Sequence, residues 1–468
     1  MGMDCSSDRF SDNSAAAVND PKLSKPLNEM AKIMPFIRDE SLGQLSDSAA
    51  AVDVSANIRA HTLAHLDFYL EQFERNVIAG GGVVHWAEDA AGANEIVLQI
   101  CREKQARLVT KSKSMVTEET ELAAALENAG IRAVETDLGE YIVQLRKEKP
   151  SHILAPALHV SLDEVTDAFL EHHKIERDGP PETADELLAE ARQILRSDFI
   201  NADVGITGAN FLIAESGGMV LVTNEGNADL TACIPDTQIV VTGIEKVVPT
   251  FEDAGQLLRL LARSAIGQRL SNYTSLYHGP KQGGEFHVVL VDNGRSSMLG
   301  TDYQDMLRCI RCSACLNHCP VYSAVGGHAY GSVYSGPMGA VYTPAFAGLA
   351  VAKDLPNAST FCGRCADVCP VKIPIPKLLR YWRRDEFSRH LTAKPYRFGL
   401  RCWAWLNRYP VLYRKGLSML TRWLSRRAVN GWLKRLPGVA GGWSDSKDLF
   451  VSEDKTFQQQ YRERQSKP

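Results

Sequence analysis

The 468-residue sequence lacks an apolar run long enough to span a bilayer, and no signal-peptide segment follows its first residues. It also lacks a strong net charge, because 52 Lys and Arg nearly balance 56 Asp and Glu. The whole molecule is therefore not an evident polyanion binder, and no nucleic-acid recognition motif is present. These absences predict a cytoplasmic protein in a reducing compartment, where clustered cysteines favour metal ligation over disulfides.

Seven of the eleven cysteines occur in two runs between residues 309 and 370. The first run has the C-x2-C-x2-C-x3-C-P spacing of bacterial ferredoxin-type iron–sulfur sites, in which the fourth cysteine ligates the neighbouring cluster. The second run ends in the same C-x2-C-x3-C-P pattern, but Ser359 occupies the position of its first cysteine. If the last cysteine of each run ligates the cluster of the other run, one cluster is held by Cys309, Cys312, Cys315 and Cys369, and a second by Cys319, Cys362 and Cys365.

The spacing favours iron over zinc, because zinc sites usually pair two C-x2-4-C knuckles without a third cysteine two residues further on. Two [4Fe–4S] clusters are the main expectation, but three thiolates also suit a [3Fe–4S] cluster at the second site. A fourth ligand there would be Ser359, water or a substrate oxygen, and an open iron would act as a Lewis acid. Serine at such a position more often caps a turn or helix. Within the motifs, His318 and Arg364 either tune the clusters or lie at the surface.

The chain is predicted to contain four regions. Residues 1–50, which show little periodicity, are expected to be a disordered leader and a lead-in. Residues 51–297 alternate short apolar strands with helices, which predicts βαβ units around a mostly parallel sheet. Residues 298–380 carry the cysteine runs on short helices, with a packed insert over residues 325–350. Residues 381–468 form a basic, Trp-rich C-terminal region.

The C-terminal region combines positive charge with aromatic residues. Residues 376–436 contain sixteen Lys and Arg against two acids, together with five of the seven tryptophans. One interpretation is a partly helical tail with solvated charges and a small aromatic core. The other, which we favour for part of the tail, is a docking surface for an acidic redox partner or an anionic membrane face.

A second candidate site lies in the α/β region, where residues 208–227 concentrate glycine and asparagine. Such a segment either binds a carboxylate or phosphate through backbone N–H groups, or forms two hairpin turns, which the residues alone favour. His61 and His65, four residues apart, form a metal-binding pair only if a third ligand is near. The charged residues to test are Lys111, Lys113, Glu215 and Lys246. Buried structural roles are expected for the isolated cysteines Cys101, Cys233 and Cys402.

Residues 50–380 resemble the lactate utilization protein B iron–sulfur proteins of bacteria, and the tail resembles that family's C-terminal region. The resemblance is carried by both cysteine runs and by RAHTLAHL (59–66), KSKSMVTEE (111–119), ETDLGEY (135–141), ITGAN (206–210), TNEGN (223–227) and GIEK (243–246). It implies a LUD domain, similar in fold to CoA-transferase and sugar-phosphate isomerase-like α/β proteins. A small α-helical two-cluster ferredoxin-type module and a basic helical C-terminal tail are then expected to follow. The seven cysteines match position by position, and the family also lacks the eighth.

The resemblance also implies a function in a cytoplasmic multi-subunit system that oxidises L-lactate to pyruvate. The expected partners are an A-type iron–sulfur subunit and a C-type LUD subunit. The chain would be an electron-transfer component of this oxidoreductase rather than a stand-alone enzyme, cytoplasmic or peripheral at the inner membrane face. Two other hypotheses stay open. In the first, the LUD domain is a substrate-binding or transferase-type domain, the clusters are structural or sensory, and Glu215 is the carboxylate to test. In the second, the chain is an assembly scaffold that docks partners through its tail.

Overall fold

The computed structural model describes residues 5–176, 179–436, 441, 444, 447–451 and 454–466. The chain divides into two compact units, Met1–Arg389 and His390–Pro468. The α/β domain and the cysteine module (residues 298–380) both lie in the first unit. Within the described ranges, no helix combines the length and the apolar character needed to cross a membrane.

The helices of the first unit are numbered in chain order. They are α1 Phe10–Val18, α2 Pro21–Gly43, α3 Ser48–Ala64, α4 Leu66–Ala79, α5 Ala90–Glu103, α6 Met115–Glu119, α7 Leu122–Asn128, α8 Leu138–Leu145, α9 Leu162–His172, α10 Ala184–Asn201, α11 Asn227–Cys233, α12 Phe251–Ile266, α13 Ala314–Asn317, α14 Pro320–Val325, α15 Gly336–Phe346, α16 Arg364–Asp367 and α17 Ile375–Ser388. The second unit adds α18 Lys394–Asn407, α19 Pro410–Ser425 and α20 Phe457–Gln465.

The strands of the first unit form two sheets. They are β1 Val83–Ala87, β2 Leu108–Lys111, β3 Arg132–Glu135, β4 Val204–Thr207, β5 Phe211–Ile213, β6 Gly218–Thr223, β7 Thr237–Gly243, β8 Val247–Val248, β9 Tyr273–Tyr277 and β10 Glu285–Val291. A six-stranded parallel sheet has the order β1-β10-β7-β4-β2-β3, and a four-stranded mixed sheet has the order β8-β5-β6-β9. The α/β class and the parallel sheet are therefore confirmed.

The parallel sheet forms the centre of the first unit. Every residue of β4 and β7 is buried, as expected when helices cover both faces of a parallel sheet. One helix, α11, approaches β4 so closely that a Cβ on Gly205 would clash with the carbonyl oxygen of Thr231. Only glycine allows this approach. Because all strands run in the same direction, their carboxyl ends share one edge, where ligand sites of open α/β sheets usually lie.

The leader is helical in the structure, which corrects the prediction of disorder. Helix α2 packs against α12 and α14, and Leu27 is only 2% exposed. A guanidinium nitrogen of Arg38 donates a hydrogen bond to the carbonyl oxygen of Val368, 2.8 Å away in the second cysteine run. The composition of the leader hides this helix, because its few buried residues are widely spaced and Pro26 and Pro35 lie within it.

The insert between the cysteine runs is packed, as predicted. The side chains of Tyr330, Tyr334 and Tyr342 are fully buried. The isolated cysteines behave differently from one another. Cys101 is buried, as expected, but Cys233 at the end of α11 and Cys402 on α18 are exposed, so the structural role predicted for these two is wrong.

Two helices of the second unit present aromatic residues to solvent. Helices α18 and α19 contain no buried residue, and the side chains of Phe398, Trp403 and Trp405 are more than half exposed. The small aromatic core of the first interpretation is therefore not formed by these two helices. Beyond them, β11 Trp432–Leu433 and β12 Leu449–Phe450 pair antiparallel.

Candidate iron–sulfur site and adjacent cavity

Four of the predicted ligands lie around one cavity. Two come from the loop that leads into α13, the third lies in α13 itself and the fourth follows α16, so both cysteine runs contribute. The loop adopts left-handed backbone conformations at Arg311 and Ser313, each with φ of 60°, which curve it around the cavity. The structure thus brings together the first cysteine group, Cys309, Cys312, Cys315 and Cys369.

The other three cysteines form a second group, Cys319, Cys362 and Cys365. Burial, and then the neighbouring thiols of Cys319 and Cys362, raise the pKa of Cys365 to about 12. Cys362 is exposed, whereas Cys312 of the first group is buried. Burial raises the pKa of Cys315, and Cys365 of the second group contributes further to this rise, so the two groups are neighbours.

Backbone N–H groups point at several of the sulfur atoms. The N–H of Arg311 donates to Cys309 Sγ at 3.4 Å, and the N–H of Ile373 donates to Cys369 Sγ at 3.3 Å. In the second group, the N–H of Tyr322 donates to Cys319 Sγ at 3.5 Å. Such donors stabilise thiolates and tune iron–sulfur clusters. The cysteine sets and their donors therefore fit the ligand shell of iron–sulfur clusters.

The remaining motif residues have local partners. Ser359 Oγ accepts a hydrogen bond from the N–H of Phe361 at 3.1 Å, which is the turn-capping arrangement. His318 Nδ1 bonds the carbonyl oxygen of Ala314 at 2.8 Å, and burial lowers its pKa. Arg364 is half exposed and lies 3.6 Å from Asp39 of α2.

A buried ionic network joins the α/β domain to the first cysteine group. Arg295 donates to both carboxylate oxygens of Glu119 at 2.8 Å and to Glu245 at 2.6 Å. The other oxygen of Glu245 accepts from Arg311 at 3.2 Å. The Arg311 guanidinium also lies over the rings of Tyr334 and Tyr342, 4.4 and 4.2 Å from their centroids. Although burial opposes it, Arg295 and then Arg311 lower the pKa of Glu245 to about 2.

Two further contacts hold the cysteine module on the α/β domain. Arg59 of α3, buried, donates to the carbonyl oxygens of Val247 at 2.9 Å and Leu307 at 3.0 Å, directly before the first cysteine run. His152 bonds Asn317 Oδ1 at 3.1 Å, between Cys315 and Cys319. Because the ring accepts backbone N–H groups at Nδ1, the proton lies on Nε2.

A cavity of about 290 Å³ lies at the carboxyl ends of the parallel strands, beside the first cysteine group. We call it the strand-end cavity. Residues that follow β2, β4 and β7 line one side, and α12 lines another. The loop of the first cysteine run closes it with Arg311 and Cys312. The polar lining includes the acidic residues Asp137 and Glu225 as well as Lys113, Asn210, Thr223, Asn227, Thr242 and Lys246.

The structure separates the sequence candidates of the α/β domain. Lys111 is buried between Glu118 and Glu135, each 2.8 Å away, and does not line the cavity. Lys113 lines it and donates to the carbonyl oxygen of Leu154 at 3.0 Å. The segment 208–227 forms the β5–β6 hairpin, as the residues favour, and several of its residues also line the cavity.

Two candidates lie away from the cavity. Glu215 accepts a hydrogen bond from the N–H of Phe251 at 2.6 Å, at the start of α12, and does not line the cavity. His61 bonds Tyr69 at 2.9 Å. In the described part of the chain, His61 and His65 have no third His, Cys, Asp or Glu within ligand reach, so the pair does not form a metal site.

Two residues of the site were missed by the sequence reasoning. Arg311 lies inside the first cysteine run, and Thr242 lies near the end of β7. Arg311 could have been noticed as a cation between two thiolates. Thr242 carries no local signal, because its role depends on which strand ends meet.

The fold and the cysteine groups define an iron–sulfur protein built from an α/β domain and a dicluster module. Residues 70–296 match the LUD domain family model, and residues 305–373 match the 4Fe-4S dicluster domain. "Lactate utilization protein B" of Geobacillus kaustophilus (strain HTA426) is 44% identical over 427 residues, which cover 88% of each chain. "Uncharacterized electron transport protein YkgF" of Escherichia coli (strain K12) is 39% identical over 473 residues, covering 100% of this chain and 99% of that one. The chain belongs to the lactate utilization protein B family, which confirms the predicted family.

Proposed function

We propose that the chain is the electron-transfer subunit of a system that oxidises L-lactate to pyruvate. Its relatives carry names that refer to lactate utilization and, in one case, to electron transport. The observation that supports the proposal best is the position of Cys369, which belongs to the second run but lines the cavity of the first. This interleaving supports one two-cluster unit, as in ferredoxin-type relays.

The two cysteine groups would hold different sites. The first group would hold a [4Fe–4S] cluster, and the second, with three cysteines, a [4Fe–4S] or [3Fe–4S] cluster. Bound clusters of this kind accept and release single electrons. No cysteine of the first group is exposed, whereas Cys362 of the second group is. The second site is therefore the accessible one for a redox partner.

Partners are part of the proposal. An A-type iron–sulfur subunit and a C-type LUD subunit would work with this chain in lactate oxidation. The exposed aromatic and basic residues of α18 and α19 would dock it on an acidic redox partner or on the anionic inner face of the membrane. Positive charge favours both surfaces, and salt would weaken both attachments.

Anaerobic purification followed by iron and sulfide analysis and EPR tests the proposal. We expect iron and sulfide in the wild-type protein, and we expect Cys369→Ser to lose the signal of one cluster and up to about half of the iron. Cys233→Ser, at an exposed cysteine outside both groups, is the matched control and should keep both signals. With partner subunits present, L-lactate should reduce the clusters. Bound zinc in place of iron, or clusters that stay oxidised under these conditions, would contradict the proposal.

A further inference from the structure

The strand-end cavity is lined by a buried cation, Lys246, that forms no hydrogen bond or ion pair with the described residues. Only 7% of the surface of Lys246 is exposed. The adjacent carboxylate, Glu245, is already shared by Arg295 and Arg311. A buried charge without a partner is strongly unfavourable. The cavity lining also contains two acidic residues, Asp137 and Glu225, of which Asp137 lies 3.9 Å from Lys113. Neither of them pairs with Lys246 in the described part of the chain, so Lys246 is a cation that no described side chain binds directly.

The second observation that indicates a ligand in this cavity concerns the hydroxyl group of Thr242. Thr242 also lines the cavity, and its hydroxyl oxygen is buried without a hydrogen-bond partner among the described residues. Buried hydroxyls are normally hydrogen-bonded, so the Thr242 hydroxyl is available to donate to an acceptor atom of a ligand in the cavity. Burial, and after it the charge of Arg311, lower the pKa of Lys246 to about 8. At neutral pH its ammonium form still predominates.

We propose that the strand-end cavity binds the carboxylate of a small organic acid, with Lys246 as its counter-ion and the Thr242 hydroxyl as a hydrogen-bond donor. A volume of about 290 Å³ lies at the small end of ordinary ligand cavities, which suits a compact metabolite rather than a dinucleotide. The apolar residues Leu221, Leu261 and Ile266 supply surface for a short carbon chain.

The position of the cavity connects it with the redox site. Cys312 of the first cysteine group lines the same cavity, as does Arg311. A bound acid would therefore lie beside that group, at the edge of the sheet where parallel strands end. The choice of a 2-hydroxy or 2-oxo acid as ligand rests on the proposed function, whereas the carboxylate site itself rests on the cavity and its unpaired groups.

The test measures binding to the full-length, cluster-loaded protein under anaerobic conditions. Isothermal titration calorimetry with L-lactate, pyruvate and the neutral amide lactamide should show binding of at least one acid and much weaker binding of the amide. Lys246→Met should weaken acid binding by about 30-fold or more, because the counter-ion is lost. Lys32→Met, at an exposed lysine of α2, is the control and should bind as the wild type does.

Thermal unfolding separates a ligand-binding role from a structural role. Without ligand, Lys246→Met should unfold at the same temperature as the wild type or higher, because an unpaired buried charge is removed. If that variant fails to fold, the isosteric Thr242→Val carries the test. It should remain as stable as the wild type but bind the acid about three- to tenfold more weakly.

Three results would overturn the inference: neither acid binds the wild type at millimolar concentration, Lys246→Met and Thr242→Val bind as tightly as the wild type, or lactamide binds as well as L-lactate. Different results refute the carboxylate site and the proposed electron-transfer function. Cluster reduction by lactate in the assembled system without acid binding to this chain refutes the carboxylate site alone. Acid binding with clusters that lactate never reduces refutes the electron-transfer function and leaves the site in place.

Discussion

Replacing Glu245 by Gln should destabilise the first unit, because this carboxylate neutralises two buried guanidinium groups. Its oxygens lie 2.6 Å from Arg295 and 3.2 Å from Arg311. The shift of its pKa from 4.5 to about 2 corresponds to about 3 kcal/mol of stabilisation at neutral pH. Breaking a buried ion pair by removing one partner generally costs about 3–5 kcal/mol, which agrees. Because a lowered carboxyl pKa stabilises above pH 4.5, the full effect is present at pH 7.5.

Urea unfolding at pH 7.5, followed by tryptophan fluorescence under anaerobic conditions, measures this loss. Glu245→Gln should lower the free energy of unfolding by about 3 kcal/mol, while Glu127→Gln, at an exposed carboxylate on α7, should change it by less than about 0.5 kcal/mol. The Glu245 variant should also hold the first cluster less firmly, since Arg311 lies in the ligand loop. A loss below about 1 kcal/mol would refute the reasoning that Glu245 is the essential counter-ion of this network.

Three further results are expected. Burial lowers the pKa of His152 to about 4, so the protein should lose stability as the pH falls below 6.5, by about 1 kcal/mol at pH 5.5. In urea unfolding, His152→Asn should lose less stability than the wild type between pH 7.5 and pH 5.5, and an equal loss would contradict this. Ser359→Ala should leave the EPR spectra and iron content unchanged, because the hydroxyl caps a turn; a changed spectrum would indicate ligation. Flotation with anionic vesicles should show salt-sensitive binding that weakens about 100-fold when glutamine replaces Arg401, Arg414 and Lys415, whereas salt-insensitive binding would count against this docking surface.

The α/β class, the parallel sheet and the order of the domains were predictable because each depends on local patterns. Apolar strands separated by helices specify βαβ units within a few tens of residues. The spacing of the cysteines is similarly local. The leader was not predictable, because the buried side of α2 depends on contacts with residues such as Val368, more than 300 positions away. Composition alone cannot reveal a helix that is stabilised by tertiary packing.

The strand-end cavity depends even more on distant contacts. Lys113, Lys246 and Arg311 belong to three separate segments, and they meet only because parallel strands end at one edge and the cysteine loop lies over it. The sequence indicates Lys113 and Lys246 as candidates, because they are charged residues near a glycine-rich segment. It also flagged Lys111 and Glu215, which the structure places in an internal ion pair and at the start of α12. Charge and glycine content indicate a polar region, but they do not tell which side chains face the cavity.

The cysteine module depends on the α/β domain more than its sequence motif suggests. Its ligand loop is held from outside the motif, by Arg59 through the carbonyl oxygen of Leu307 and by Glu245 through Arg311. Both holding groups come from the α/β domain, and the module and that domain lie in one compact unit. A loop fixed by buried charges loses little freedom when it binds a cluster, which favours cluster binding. The α/β domain thus contributes to the first cysteine group as a scaffold, and the same contacts close the strand-end cavity over its lysine.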